Sequence, residues 1–114
     1  MIKIYHNPRC SKSREGLAIL TESGKEFEVV HYLKDVPSEA ELKSILRILE
    51  IPALQLVRKN EPIWKKRYQG KSLSEADIIS ALVQNPKLLE RPIVIRNNKG
   101  TIGRPPEKIK PLIQ

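Results

Sequence analysis

The sequence predicts a mixed α/β fold, and three observations carry that expectation. The chain opens with a strand, a helix and a second strand within about 32 residues, a spacing that favours a parallel pair joined by a crossover helix. Its middle reads as helices with Ser-x-x-Glu and Ser-x-x-Asp starts. It closes on a strand, an Asn-Asn turn, a short partner strand and a proline-led helix. Without the helical block, what remains is a small mixed sheet with one late hairpin and flanking helices.

Each element has a local reason. Ile2–Tyr5 is a short strand broken by Asn7-Pro8. A helical pattern runs from Ser11 to about Ser23 and stops before Gly24, the residue favoured just past a helix end. Glu26 to Tyr32 carries Phe27, Val29, Val30 and Tyr32 in a β-rich run. Ser38 opens a helix in which Leu42, Ile45, Leu46 and Leu49 recur on one face, ending before Pro52. Ser74 opens another, with Ile78, Ile79, Leu82 and Val83, ended by Asn85-Pro86. Pro92 to Arg96 reads as a strand, Asn97 to Gly100 as the turn and Thr101 to Gly103 as the partner. Pro105-Pro106 starts a final short helix through Ile113. With 114 residues the expectation is one domain over 1–114, with a helical insertion of about 38–86.

Composition narrows the function. Lys and Arg number 21 against 13 Asp and Glu, a net charge of +8, which suits an anionic partner. A single cysteine excludes an intrachain disulfide and Cys-rich zinc sites, and no metal site is expected. No apolar run approaches a membrane span, and the N-terminus lacks an apolar signal segment, so the expected compartment is the cytoplasm, where a free thiol stays reduced. Trp64 to Lys71 interleaves aromatic and basic residues, but such a stretch is more often a solvated face with inward aromatics than a nucleic-acid platform.

Cys10 is the residue best placed for chemistry. It precedes the first helix, where free N–H groups and the helix dipole favour a thiolate, and Arg9, Lys12 and Arg14 add positive charge. Ser13 follows at Cys-x-x-Ser, so a second thiol must come from outside. Ser13 is either part of this site or a solvent-facing hydroxyl of the first turn. His6 either tunes the thiol or is a partly buried ring satisfied by backbone, and His31 reads as structural. Arg58, Arg91 and Arg104 stand out, the last two beside prolines. Arginine forks suit a tetrahedral oxyanion, although spacing alone favours ordinary surface arginines. A phosphatase loop is excluded, because Gly16 stands where its arginine is needed.

The run Ile4-Tyr5-His6-Asn7-Pro8-Arg9-Cys10-Ser11-Lys12-Ser13-Arg14 resembles the active-site loop of the glutaredoxin-dependent arsenate reductases, the ArsC family. So do His31-Tyr32-Leu33, Leu56-Val57-Arg58-Lys59-Asn60, Glu90-Arg91-Pro92-Ile93-Val94-Ile95 and Gly103-Arg104-Pro105. With Ser11-Lys12 after the cysteine and an early end after Arg104, the chain looks like the short YfgD-like, ArsC-related branch. The resemblance implies a thioredoxin-like fold with a helical insertion. It implies Cys10 as nucleophile, Arg58, Arg91 and Arg104 around an oxyanion, and His6, Ser13 and Arg14 in support. Pro92 matches a cis-proline position. The implied activity is reduction of arsenate to arsenite, with no bound cofactor, glutathione as co-substrate and glutaredoxin as partner. Two alternatives stay open: an Spx-like regulator that binds RNA polymerase, and a glutathione-dependent thiol reductase with another substrate.

Overall fold

Alternating apolar residues at Ile2 and Ile4 form β1 (Ile2–Tyr5), the strand from which the sheet grows on both sides. The computed structural model describes residues 1–114. Along the chain follow α1 (Ser11–Glu22), β2 (Phe27–Val30), α2 (Glu39–Leu49), α3 (Pro62–Arg67), α4 (Glu75–Gln84), β3 (Ile93–Arg96), β4 (Lys99–Ile102) and α5 (Lys110–Ile113). Short 3-10 turns cover Ala53–Leu56, Pro86–Leu88 and Pro106–Ile109. The chain divides into two compact units: Met1–Asp35 with Arg91–Gln114, and Val36–Glu90 between them. The inserted unit is a few residues wider at each end than the expected 38–86.

The first unit holds the sheet, in order β2-β1-β3-β4. β1 pairs β2 in parallel, with Ile4 opposite Val29, and pairs β3 antiparallel, with Ile4 opposite Val94. Ile2, Ile4, Leu20, Val94 and Ile109 form its core, and full burial of such side chains contributes about 1.5–3 kcal/mol each. This is the thioredoxin-like α/β arrangement that the sequence predicts. Gly24 takes φ 73 after α1, a left-handed conformation that glycine adopts without steric cost.

Two boundaries differ from expectation. β2 stops at Val30, not Tyr32, because the His31 carbonyl accepts from the Lys34 and Asp35 N–H groups and turns the chain. Tyr32 is thereby fully buried. The late hairpin is tighter than Asn97–Gly100. Asn97 adopts φ 56, Arg96 pairs directly with Lys99, and the partner strand is Lys99–Ile102.

The second unit is built from helix starts. Ser38 Oγ accepts from the Glu41 N–H at the head of α2. Ser74 and Asp77 form a reciprocal capping box at the head of α4, with distances of 3.1 and 2.9 Å. α2 packs on α4, burying Leu42, Ile45, Ile78 and Leu82. In the basic-aromatic stretch, Trp64 is buried and stacks on Tyr68 at 5.3 Å, while Lys65, Lys66 and Arg67 face solvent. No helix is long and apolar enough to cross a membrane.

Candidate active site

The turn between β1 and α1 is knotted by two short polar side chains. Asn7 is buried, and its Oδ1 accepts from the Arg9 N–H at 3.0 Å, an Asx-type turn. Its carbonyl accepts from the Cys10 N–H at 3.0 Å, and its own N–H donates to Ser13 Oγ at 2.9 Å. Arg14 reaches back from α1 and donates to the Pro8 carbonyl at 2.9 Å. The loop is therefore held at four points before it delivers Cys10 to the N-cap position of α1.

Ser13 is a loop anchor and not a solvent-facing hydroxyl. It is completely buried, and its Oγ lies 2.7 Å from His6 Nδ1. A neutral imidazole with its proton on Nε2 accepts the hydroxyl hydrogen there, which leaves Oγ free to accept from Asn7. Burial lowers the His6 pKa, as do the nearby His31 and Arg14 charges, against a Ser13 hydrogen bond that raises it. His31 is not an isolated structural residue. Its ring meets His6 edge-on at 6.0 Å. The parallel register explains the meeting: Tyr5 pairs with Val30, so the next residues of the two strands are the two histidines.

Cys10 is half-buried and unpaired with any other thiol. It caps α1 with extended backbone, and no acidic side chain stands in the first turn. Burial pushes the thiol pKa up. The Ser13 N–H, the Arg91 guanidinium, the Lys12 N–H and the Arg104 guanidinium outweigh it, and the thiol lies below its ordinary value. Arg104 Nη1 donates to Cys10 Sγ at 3.7 Å and to the Arg91 carbonyl at 3.1 Å. The Arg91–Pro92 and Arg104–Pro105 bonds are both cis.

Of the residues singled out from the sequence, Cys10, His6, Ser13, Arg14, Arg91, Pro92 and Arg104 all belong to the first unit. Arg58 belongs to the second. There its N–H donates to the Leu88 carbonyl at 2.7 Å, beside a Val57–Leu89 bridge. Its guanidinium faces Glu61 at 3.8 Å and Glu90 at 3.7 Å, ion pairs longer than a hydrogen bond. In the sequence Asn7 reads only as a turn residue, and its pairing with Pro8 is the signal for its anchoring role. Nowhere do three or more His, Cys, Asp or Glu side chains converge on one point.

The whole chain has relatives among known proteins. The sequence model of the ArsC family matches residues 5–112. The uncharacterized protein YfgD of Escherichia coli is 50% identical, over 98% of this chain and 96% of its own. An arsenate reductase of Neisseria meningitidis is 40% identical over 98% of this chain and 97% of its own. A solved structure of an arsenate reductase from Vibrio cholerae superposes with a TM-score of 0.93 at 41% identity, covering 96% of this chain and 95% of the other. Sequence match, whole-chain identity and backbone agree, and the chain belongs to the ArsC family.

Proposed function

We propose that this protein reduces arsenate to arsenite through the single thiol of Cys10. The observation that carries the reading is the placement of that sulfur. Cys10 is the N-cap residue of α1, the nearby Ser13 and Lys12 N–H groups and the Arg91 guanidinium lower the pKa of its thiol, and Arg104 Nη1 lies 3.7 Å from Sγ. Such a thiolate is a nucleophile beside cations that can neutralise an incoming oxyanion. The substrate is taken from the relatives named arsenate reductases, those of Neisseria meningitidis and Vibrio cholerae.

In the proposed reaction Cys10 Sγ bonds to arsenic, and one arsenate oxygen, protonated, departs as water. Glutathione then supplies the second sulfur. Across the cycle arsenate loses one oxygen as water and gains two electrons, while two thiols become one disulfide. Cys10 has no internal resolving thiol, so glutathione and glutaredoxin complete the turnover. Arg91 and Arg104 hold the oxyanion, and Arg58 is assigned to it by resemblance to the family. His6, Ser13 and Arg14 hold the loop. The reading needs no bound cofactor and places the protein in the cytoplasm, where the thiol stays reduced.

The experiment is arsenite release from arsenate with glutathione and glutaredoxin, run on the native protein and Cys10→Ala. Native turnover that vanishes in Cys10→Ala is expected. No arsenite from either would sink the arsenate reading. If Cys10 still formed a mixed disulfide with glutathione, a thiol reductase with another substrate would take its place.

A further inference from the structure

Four residues from separate segments of the first unit share one small space. They are Gly16 in α1, Pro92 ahead of β3, Gly103 after β4, and Ile109 at the end of the 3-10 turn before α5. All four are buried. A methyl group at Gly16 would lie 2.9 Å from both Ile109 Cδ1 and Pro92 Cγ. One at Gly103 would lie 2.8 Å from Ile109 Cδ1 and 3.0 Å from Pro92 Cγ. Both glycines therefore face the same two side chains, with no room for a Cβ at either. Ile109 cannot simply retreat, because it is fully buried among Ile2, Ile4, Leu20 and Val94, and protein cores transmit such displacements.

The neighbours in sequence give this packing a chemical consequence. Arg91 precedes Pro92, and Arg104 follows Gly103. The Gly103 N–H donates to the Pro92 carbonyl at 2.8 Å, and Arg104 Nη1 donates to the Arg91 carbonyl at 3.1 Å. The two arginine-bearing loops are thus tied to each other, and Ile109 and Pro92 together fill the space in front of Gly103.

We propose that Ile109 is a positioning residue for the Cys10 site: its Cδ1 methyl seats the Pro92 and Gly103 loops and so sets where Arg91 and Arg104 meet the sulfur. The inference rests on the reading of Cys10 as nucleophile and extends its support to the C-terminal segment of the chain. Its test needs neither arsenate nor glutathione, so it stands apart from the outcome of the arsenite assay.

The test is a methyl exchange read by the pH profile of Cys10 alkylation with iodoacetamide. Gly103→Ala adds a methyl against Ile109 Cδ1, and Ile109→Val removes that Cδ1. Gly103→Ala is expected to raise the thiol pKa by about half a unit, slowing alkylation near neutral pH about threefold. Ile109→Val removes the closest of the contacts that a Gly103 Cβ would make and leaves Ile109 Cγ1 at 3.1 Å and Pro92 Cγ at 3.0 Å, so combining the two should return part of the lost rate. Ile109→Val alone, a mild core change that should leave the protein folded, is expected to slow alkylation measurably. A Gly103→Ala protein that melts earlier but alkylates at the native rate would overturn the proposal. So would a double variant as slow as Gly103→Ala, or an unchanged rate in Ile109→Val.

Discussion

Arg104 Nη1 lies 3.7 Å from Cys10 Sγ and 3.1 Å from the carbonyl oxygen of Arg91. One nitrogen thus touches both the Cys10 sulfur and the backbone of Arg91. Arg104→Ala removes both contacts, so the thiol pKa should rise and alkylation at neutral pH should slow. Arg104→Lys keeps the charge on a compact, flexible head and should fall between the two. The pH profile of alkylation decides; a native profile in Arg104→Ala would count against the contact.

The same thiol links stability to pH. Burial raises the Cys10 pKa, but the Ser13 N–H, Arg91, the Lys12 N–H and Arg104 together bring it below its ordinary value. Between the folded and unfolded thiol pKa values the unfolded chain holds more protons, so stability rises with pH. The contribution is complete above the unfolded value and is lost as pH falls through the folded one. Denaturant titrations across that range should show the native protein gaining on Cys10→Ala as pH increases. A constant difference would contradict this.

His6 titrates in a lower window. Burial, followed by His31, keeps its pKa below the ordinary 6.5, so the folded ring resists a proton that the unfolded chain accepts. Stability linked to His6 is complete above pH 6.5 and is lost on acidification through the folded value. The expected result is a steeper loss of stability on acidification in the native protein than in His6→Gln, measured by thermal melts.

Ser13→Ala deletes a buried oxygen that serves both Asn7 and His6. Leaving those groups without a partner should cost about 1–3 kcal/mol in urea unfolding. Because the loop loses its anchor, Cys10 alkylation should also slow. A destabilised protein with native alkylation would separate the two roles.

In the inserted unit, Ser74→Ala removes one half of the capping box on α4. A loss of about 1 kcal/mol is expected from chemical denaturation, with Cys10 alkylation unchanged. A change in alkylation would mean that this cap reaches beyond its own unit.

Much of this architecture is legible because it depends on local chemistry. Ser38 and Ser74 announce helix starts, Gly24 announces a stop, and Cys10 between a strand and a helix announces an activated sulfur. What escapes a linear reading depends on register and packing. The meeting of His6 with His31 follows from the parallel pairing of Tyr5 with Val30. The burial of Ser13 follows from Asn7 folding back over the first turn of α1. Gly16 and Gly103 look like unrelated glycines until Ile109 and Pro92 are found between them. Arginines show the same limit: all three stand out in sequence, but only the fold shows Arg104 bonded to the sulfur and Arg58 facing two carboxylates.

The lone thiol also fixes a kinetic order. A protein with two neighbouring cysteines resolves a mixed disulfide by itself, at a rate independent of the outside thiol's concentration. Cys10 has no such neighbour, so a mixed disulfide on it persists until an outside thiol attacks it. The lifetime of that adduct scales inversely with the concentration of the incoming thiol, and diluting the thiol turns a transient into a species that can be weighed as an intact mass.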